Sequence, residues 1–472
     1  MSEGESNTPI KYLSEDTQTL CQRCKIEKAI LISRKEHFCH NCFIRFIRGK
    51  QRKQMLDDRY KVRYGPAAEK FGTQKVLLAL SGGVSSLVLL DVMSSLLQEQ
   101  YKSHKGKQGF ELVILNVDEF DLEALDRHVN DILPQLVSRY APIEVDYKVL
   151  SLESYIIDQN MLQKVLLSKD FTALQSSIEL DKEYTVTDIL KLCPNKSSVE
   201  DLLTIMYDEL ILRTAYLEGC ETIIYGHSMT RIANEIIALT VKGRGSNIYQ
   251  AISDHTVHFR GKEFSILFPL RDVLYAEVVA YANLEDLKEF EVKSTVVKSK
   301  ITKNLTIRDL TTNYFSQLDA TGYASTASTV VKTGEKLGAP QVSHEMGSCQ
   351  ICGVYIYQDA KEWLRRITVN DAAPVETEEE KEYVELYKET FGNPEEADVT
   401  NSKPVNICYG CIVTLGGVKQ DTGFVWPVKN KEEDGERPLS NIYSFNKQDI
   451  LDEYILTDDE DEEGEVVDGQ HI

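Results

Sequence analysis

Eight of the ten cysteines fall in four Cys-x-x-Cys pairs: Cys21/Cys24, Cys39/Cys42, Cys349/Cys352 and Cys408/Cys411. Such a turn presents two thiolates to one ion, and two turns complete a tetrahedron. The first two pairs, in "CQRCKIEKAILISRKEHFCHNC", are separated by fourteen residues, room for a short hairpin between two knuckles, so a four-cysteine zinc site is expected there. His37 and His40 lie alongside, but four thiolates already fill the tetrahedron. The other pairs, "CQIC" and "CYGC", stand fifty-five residues apart. That spacing leaves three arrangements open: one shared second zinc site, cross-pairing with the N-terminal knuckles, or a redox dithiol. A redox dithiol needs a thioredoxin-like βαβ setting, which the pattern lacks, so a second structural zinc is the favoured reading. Zinc held this way supplies folding free energy to modules with little core.

A second chemical feature is "KVLLALSGGVSSLVLLDV", Lys75 to Val92. Val76 to Leu80 reads as a buried strand and Ser85 to Met93 has helical apolar spacing, which makes Ser81-Gly82-Gly83 the turn between them. Glycines let backbone approach a ligand closely, and the helix that follows aims free N–H groups at an anion, so Ser81, Gly82, Gly83 and Ser86 are candidate phosphate contacts. An ordinary strand-to-helix turn has the same appearance. "YGHSMTR" follows another strand, and its His227 either contacts a nucleotide or packs against the next helix.

Elements that could position these groups alternate from Lys75 to about Lys242. Strands are expected at Lys75–Leu80, Glu111–Asp118, Ile143–Leu150 and Thr222–Gly226. Helices are expected through Leu97, through Leu136, at Val199–Leu217 and at Arg231–Val241, with an irregular polar segment before Val199. This is the signature of an α/β fold with a doubly wound parallel sheet, whose ligands sit at the carboxyl ends of the strands.

The chain has 472 residues, 42% of them hydrophobic and 27% charged, as a soluble protein of two or three domains would. No apolar run is long enough for a membrane span, and the start lacks a basic n-region and an apolar h-region; a cytoplasmic location is expected. The net charge of −22 is unevenly spread. Eight acids, from Asp458 to Asp468, crowd the last fifteen residues, which read as a solvated tail. Basic residues gather in "FIRFIRGKQRKQMLDDRYKVRYG", where Arg45, Arg48, Lys50, Arg52 and Lys53 are candidates for contacting a nucleic-acid backbone. A solvated amphipathic helix with a few ion pairs fits the same composition. The expected organisation is a disordered N-terminus (1–20), a zinc module (21–48), a basic helical segment (49–72), an α/β domain (73–300), a helical connector (301–345), a second zinc module (346–428) and an acidic, largely disordered tail (429–472).

Taken together, "LSGGVSS" after a strand, "IIYGHS", and a helix closed by "KGRGS" resemble the PP-loop ATP pyrophosphatases that thiolate tRNA, whose patterns are Ser-Gly-Gly-x-Asp-Ser and Gly-His-x-x-Asp-Asp. With "CQICGVYIY", "WLRRITV" and "CYGC" in order, nearly the whole chain resembles the cytoplasmic tRNA 2-thiolation protein 2 family. The resemblance implies a heterodimer with a catalytic PP-loop subunit. That complex would move sulfur from a thiocarboxylated ubiquitin-like carrier onto the wobble uridine of cytoplasmic tRNAs. Where active relatives carry the loop aspartate this chain has Ser85, and where they carry the Asp-Asp pair it has Thr230 and Arg231. Of the relatives' sulfur-handling cysteines, Cys193 lies near the first position and Lys196 occupies the second; Cys220 reads as a small buried residue. The expectation is a noncatalytic, tRNA-binding subunit with two zinc ions, in which ATP binding is doubtful. An active thiolase in its own right, and a zinc-dependent scaffold for the ubiquitin-like carrier, are the alternatives.

Overall fold

The computed structural model describes residues 9–14, 16, 18–65, 72–119, 125–168, 171–178, 183–295, 305–320, 323, 325–338, 347–367, 377–391, 403–419 and 423–429. The acidic tail lies outside the described residues.

A six-stranded sheet organises the molecule. It contains β4 (Gln74–Ala79), β5 (Phe110–Asp118), β6 (Val145–Ser151), β9 (Thr222–Tyr225), β10 (His255–Phe259) and β11 (Lys262–Leu267), in the order β10-β11-β9-β4-β5-β6. All neighbours run parallel except β10, an antiparallel edge. Val76, Leu77 and Leu78 are all fully buried, so β4 has no solvent side; a parallel sheet with helices on both faces requires this. One face packs Val76, Leu78 and Ile114 against α2 (Val84–Ser103), α3 (Val129–Ser138) and α6 (Tyr275–Leu284). The other packs Leu77, Val113, Leu115 and Ile223 against α4 (Lys196–Leu217) and α5 (Met229–Val241). The expected strands and helices recur here within a few residues, and β10 and β11 extend the sheet beyond them.

The N-terminal module is a small antiparallel sheet of β1 (Ile10–Tyr12), β2 (Leu31–Ser33) and β3 (Glu36–Phe38), followed by α1 (His40–Gln54). Ile10–Tyr12 was expected to be disordered but pairs with β2, because the β2–β3 hairpin offers it an open edge. Helix α1 crosses the expected 48/49 boundary without a break. Its Phe43, Ile44 and Ile47 are buried on one side.

The segment expected to be irregular contains β7 (Leu162–Leu167) and β8 (Ala173–Ser177), an antiparallel hairpin. Strands β12 (Lys403–Val405) and β13 (Phe424–Pro427) add to its two edges, giving the order β12-β8-β7-β13. The C-terminal cysteine module therefore shares a sheet and a core with the α/β domain, where Trp426 stacks at 5.5 Å on Phe424 and meets the tilted ring of Tyr155 at 5.4 Å. The expected connector supplies α7 (Ile307–Ala320) and α8 (Ser325–Gly334), which lie against α5. A Cβ at Gly334 would come within 2.8 Å of Ile236, so the close approach of α8 needs glycine there.

Candidate functional site

Both cysteine clusters are built alike: one knuckle, then a helix whose first turn delivers the second pair. In the first, Lys25 turns back at φ 58° to bond Cys21 O, while Cys39 caps α1 and Cys42 lies in its first turn. In the second, Gly353 takes φ 77° and donates to Cys349 O at 2.8 Å, while Cys408 caps α9 (Tyr409–Leu415) and Cys411 follows one turn in. The positive ends of α1 and α9 favour thiolates there. Within each cluster the four sulfurs lie within 4.8 Å of one another. Cys24 Sγ and Cys39 Sγ are 3.9 Å apart, and Cys352 Sγ and Cys408 Sγ 3.7 Å. A tetrahedral ion with metal–sulfur bonds of about 2.3 Å separates its ligands by about 3.8 Å, whereas a disulfide needs about 2.05 Å. Each cluster can hold one ion with no open position for substrate. The C-terminal pairs thus form one shared site, and cross-pairing with the N-terminal knuckles is ruled out by position. His40 lies outside the first cluster, its Nε2 within 3.2 Å of Leu284 O.

The glycine turn lies at the carboxyl end of β4, as the fold requires. Gly82 adopts φ 77°, and a Cβ there would sit 2.8 Å from Val129 Cγ2 and 3.1 Å from Val292. Val292 N–H donates to Gly82 O at 3.0 Å. Gly83 caps α2, accepting from Ser86 Oγ at 2.8 Å, and Ser81 Oγ accepts from Gly83 N–H at 3.4 Å. Ser81, Gly83, Asn116, Asp118, Glu119 and Ser294 line a cleft of about 170 Å³ above the turn. Its acidic wall opposes a polyphosphate unless a cation intervenes. Asn116 donates to Leu80 O at 2.8 Å and leaves its own buried Oδ1 without a hydrogen bond.

The second motif packs on the first. A Cβ on Gly226 would lie 2.9 Å from Ser85 O and Ser86 Cα, so β9 and the start of α2 meet backbone to backbone. His227 stacks on Phe268 at 5.4 Å and lies tilted against Tyr225 at 5.5 Å. Burial among these rings, helped by the nearby Arg231 charge, pulls its imidazole down to about 4, so it is neutral at physiological pH. Packing is the role these contacts support. Thr230 Oγ1 accepts from Tyr275 N–H at 3.1 Å, and Arg231 lies 3.8 Å from Glu235. Glu235 is bound in turn by both ends of the Arg308 guanidinium, at 2.9 and 2.6 Å. Arg308 is a contact that sequence reading missed, since no motif marks a cation on α7.

The family model for cytoplasmic tRNA 2-thiolation protein 2 matches residues 306–413. The protein of that name from Scheffersomyces stipitis is 70% identical over 456 residues, 96% of this chain and 99% of that one. The Debaryomyces hansenii protein is 64% identical over the same shares, and one from Saccharomyces cerevisiae is 32% identical over 94% of this chain and 100% of its own length. The chain belongs to the cytoplasmic tRNA 2-thiolation protein 2 family. Among solved structures, the U34-tRNA thiolase NcsA from Methanococcus maripaludis with its [4Fe-4S] cluster matches 75% of this chain and 98% of its own at 17% identity and a TM-score of 0.48.

Two further features bear on chemistry in this member of the 2-thiolation protein 2 family. Burial pushes the Cys193 thiol up to about 12, and burial together with Glu218 does the same to Cys220; neither is a thiolate at neutral pH. On α1 the candidate cations divide. Arg48 turns inward to Tyr281 Oη at 3.0 Å and Asp91 at 3.5 Å, and Lys50 donates to Asp272 O at 2.6 Å beside Glu277. Arg52 pairs with Glu99, while Arg45 and Lys53 face solvent. Among the described residues no helix is long and apolar enough to cross a membrane.

Proposed function

We propose that this chain is the noncatalytic, tRNA-binding subunit of a heterodimer that 2-thiolates the wobble uridine of cytoplasmic tRNAs. The relatives' name supports the 2-thiolation. The observation carrying the noncatalytic role is the second motif: a hydroxyl engaged by Tyr275 and a guanidinium drawn to Glu235 stand where metal-binding carboxylates are expected. A hydroxyl supplies no charge for magnesium, and a guanidinium does not lose its proton. With Cys193 and Cys220 buried and protonated, sulfur handling falls to the partner, a catalytic PP-loop subunit fed by a thiocarboxylated ubiquitin-like carrier. The Ser81–Gly83 turn, with Ser86 and His227, preserves the shape of a nucleotide site without turnover.

Both four-cysteine clusters fit zinc. Their ligands are all soft thiolates, and each tetrahedron is closed, so the ion's contribution is structural. Arg45, Arg52 and Lys53 on the outer side of α1 contact RNA phosphates. Such contacts position tRNA without reading sequence, and uridine choice rests with the partner.

The test is ATP–pyrophosphate exchange by the isolated chain, paired with its recovery from cells. No exchange alone, together with a co-purifying PP-loop protein and 2-thiolated tRNA, is the expected result. Exchange at the rate of active relatives would overturn the noncatalytic assignment, and recovery without a second PP-loop protein would overturn the heterodimer. Metal analysis should return about two zinc ions per chain; iron with visible absorption would refute zinc.

A further inference from the structure

The two cysteine centres differ in what surrounds them. Beside the N-terminal one, the Glu27 carboxylate approaches the Cys39 thiol and accepts from Asn41 Nδ2 at 3.2 Å. Beside the C-terminal one stands a buried cation from another part of the chain. Arg244 follows α5 in "KGRGS" and places Nη2 3.8 Å from Cys411 Sγ and 2.9 Å from Thr414 Oγ1. Its Nε lies 3.4 Å from Asp201 on α4, which also accepts from Lys242 Nζ at 2.8 Å and Thr414 Oγ1 at 3.2 Å.

Two glycines make this approach possible. Gly243 turns at φ 70°, and a Cβ there would sit 2.4 Å from the Tyr409 ring; a Cβ on Gly410 would lie 2.6 Å from Arg244 Cγ. Any side chain at Gly410 would push the guanidinium away from the cluster. A second cation, Lys429, lies on the other side: its Nζ is 3.3 Å from where a Cβ would be on Gly353, within the knuckle, and 2.5 Å from Glu209 on α4.

A divalent ion with four thiolates carries two net negative charges, and burying them is unfavourable unless nearby donors offset them. We propose that Arg244 is a positioning residue of the C-terminal metal centre, donating a charge-assisted hydrogen bond to Cys411 and so making that centre's hold on its ion depend on the α/β domain. The Asp201 carboxylate aims the guanidinium and Thr414 fixes its outer nitrogen. The ion is kept by four cysteines of one module and by a cation of another, so loading the metal and docking α9 onto α4 and α5 are coupled steps.

This inference rests on the zinc reading, and the experiment separates the two. Full-length chain is loaded with zinc, and release to a chromogenic chelator is followed in the wild type, Arg244→Lys, Arg244→Met, and Arg244→Met with Asp201→Asn. The last variant leaves no unpaired buried carboxylate, and circular dichroism confirms its fold. One of two zinc equivalents should leave at least about tenfold faster in both methionine variants, with Lys intermediate and the other equivalent unchanged. On cobalt substitution, the sulfur-to-cobalt charge-transfer band of one site should shift in the same variants. Wild-type release rates and an unshifted band in the folded double variant would overturn the inference alone. A wild-type chain that takes up only one zinc would refute the zinc reading, and the inference with it.

Discussion

Replacing Glu277 tests how the N-terminal module is fastened. This carboxylate is fully buried on α6 and accepts from Arg34 Nε at 2.7 Å, Arg34 Nη2 at 2.9 Å, Ser33 Oγ at 2.9 Å and the Leu274 backbone N–H at 2.9 Å, with Lys50 3.8 Å away. Burial alone would raise its proton affinity, but the Arg34 hydrogen bonds outweigh this and hold it below the usual carboxylate range. Arg34 sits in the β2–β3 turn at φ 49°, so the contact joins the N-terminal hairpin to the α/β domain. Removing one partner of a buried, hydrogen-bonded ion pair typically destabilises by about 3–5 kcal/mol, and loss of a helix cap by about 1 kcal/mol. Because these share one carboxylate they do not simply add, and about 4 kcal/mol is expected for Glu277→Ala. Arg34→Ala, whose guanidinium is partly exposed, should cost about 2 kcal/mol, with a coupling of about 1–3 kcal/mol in the double-mutant cycle. The assay is urea unfolding of zinc-loaded chain at pH 7, with trypsin digestion reporting release of residues 9–54. A Glu277→Ala loss below about 1 kcal/mol with no coupling to Arg34 would refute the fastening role.

Four other outcomes are expected. Arg45→Glu with Lys53→Glu should weaken tRNA binding and lower the slope of log K against log salt by about 2, whereas Arg48→Gln, already paired inside the chain, should leave the slope unchanged; filter binding at several salt concentrations measures this. His227 stays neutral down to about pH 4 in the folded chain, while an unfolded imidazole protonates near 6.5, so the unfolded state takes up more protons between those values. Stability should therefore fall as pH drops from 6.5 towards 4, and His227→Phe should flatten that decline in urea midpoints; an unaltered decline would count against it. Gly226→Ala should destabilise by about 2 kcal/mol through its backbone clash with Ser85 and Ser86. Gly49→Ala, on open surface of α1, should stabilise by about 0.5–1 kcal/mol, both read as shifts in melting temperature.

The central sheet was legible because its inner strands are buried on both sides: the runs Val76–Leu80 and Leu112–Leu115 are continuous and apolar, and each strand leads towards a helix. The cysteine clusters were legible because Cys-x-x-Cys is a local geometry, though spacing leaves the partner of Cys349/Cys352 open and only the fold sets Cys408 beside Cys352. What escaped is non-local. Strand β7 buries Leu162 and Val165, three apart, so neither alternation nor a continuous apolar run marks it, and beyond its hairpin mate β8 its other partner, β13, lies far along the chain. Pro404 further disguises β12, tolerated because that strand is an edge. The basic segment shows the same limit: composition counts the cations of α1, but the acids that claim Arg48 and Lys50 are Asp91 on α2, Glu277 on α6 and Glu285 just beyond it. Arg244 lies in a turn whose sequence, "KGRGS", carries no sign that its neighbour is a thiol.

The sheet shared by β7, β8, β12 and β13 has a consequence for biosynthesis. As the ribosome emits the chain, the Leu162–Ser177 hairpin emerges with both flanks unsatisfied and must wait for Lys403–Val405 and Phe424–Pro427 to arrive. During that interval its bare edges can recruit other nascent chains, so premature termination anywhere before Lys403 would leave a sticky intermediate rather than a smaller working protein.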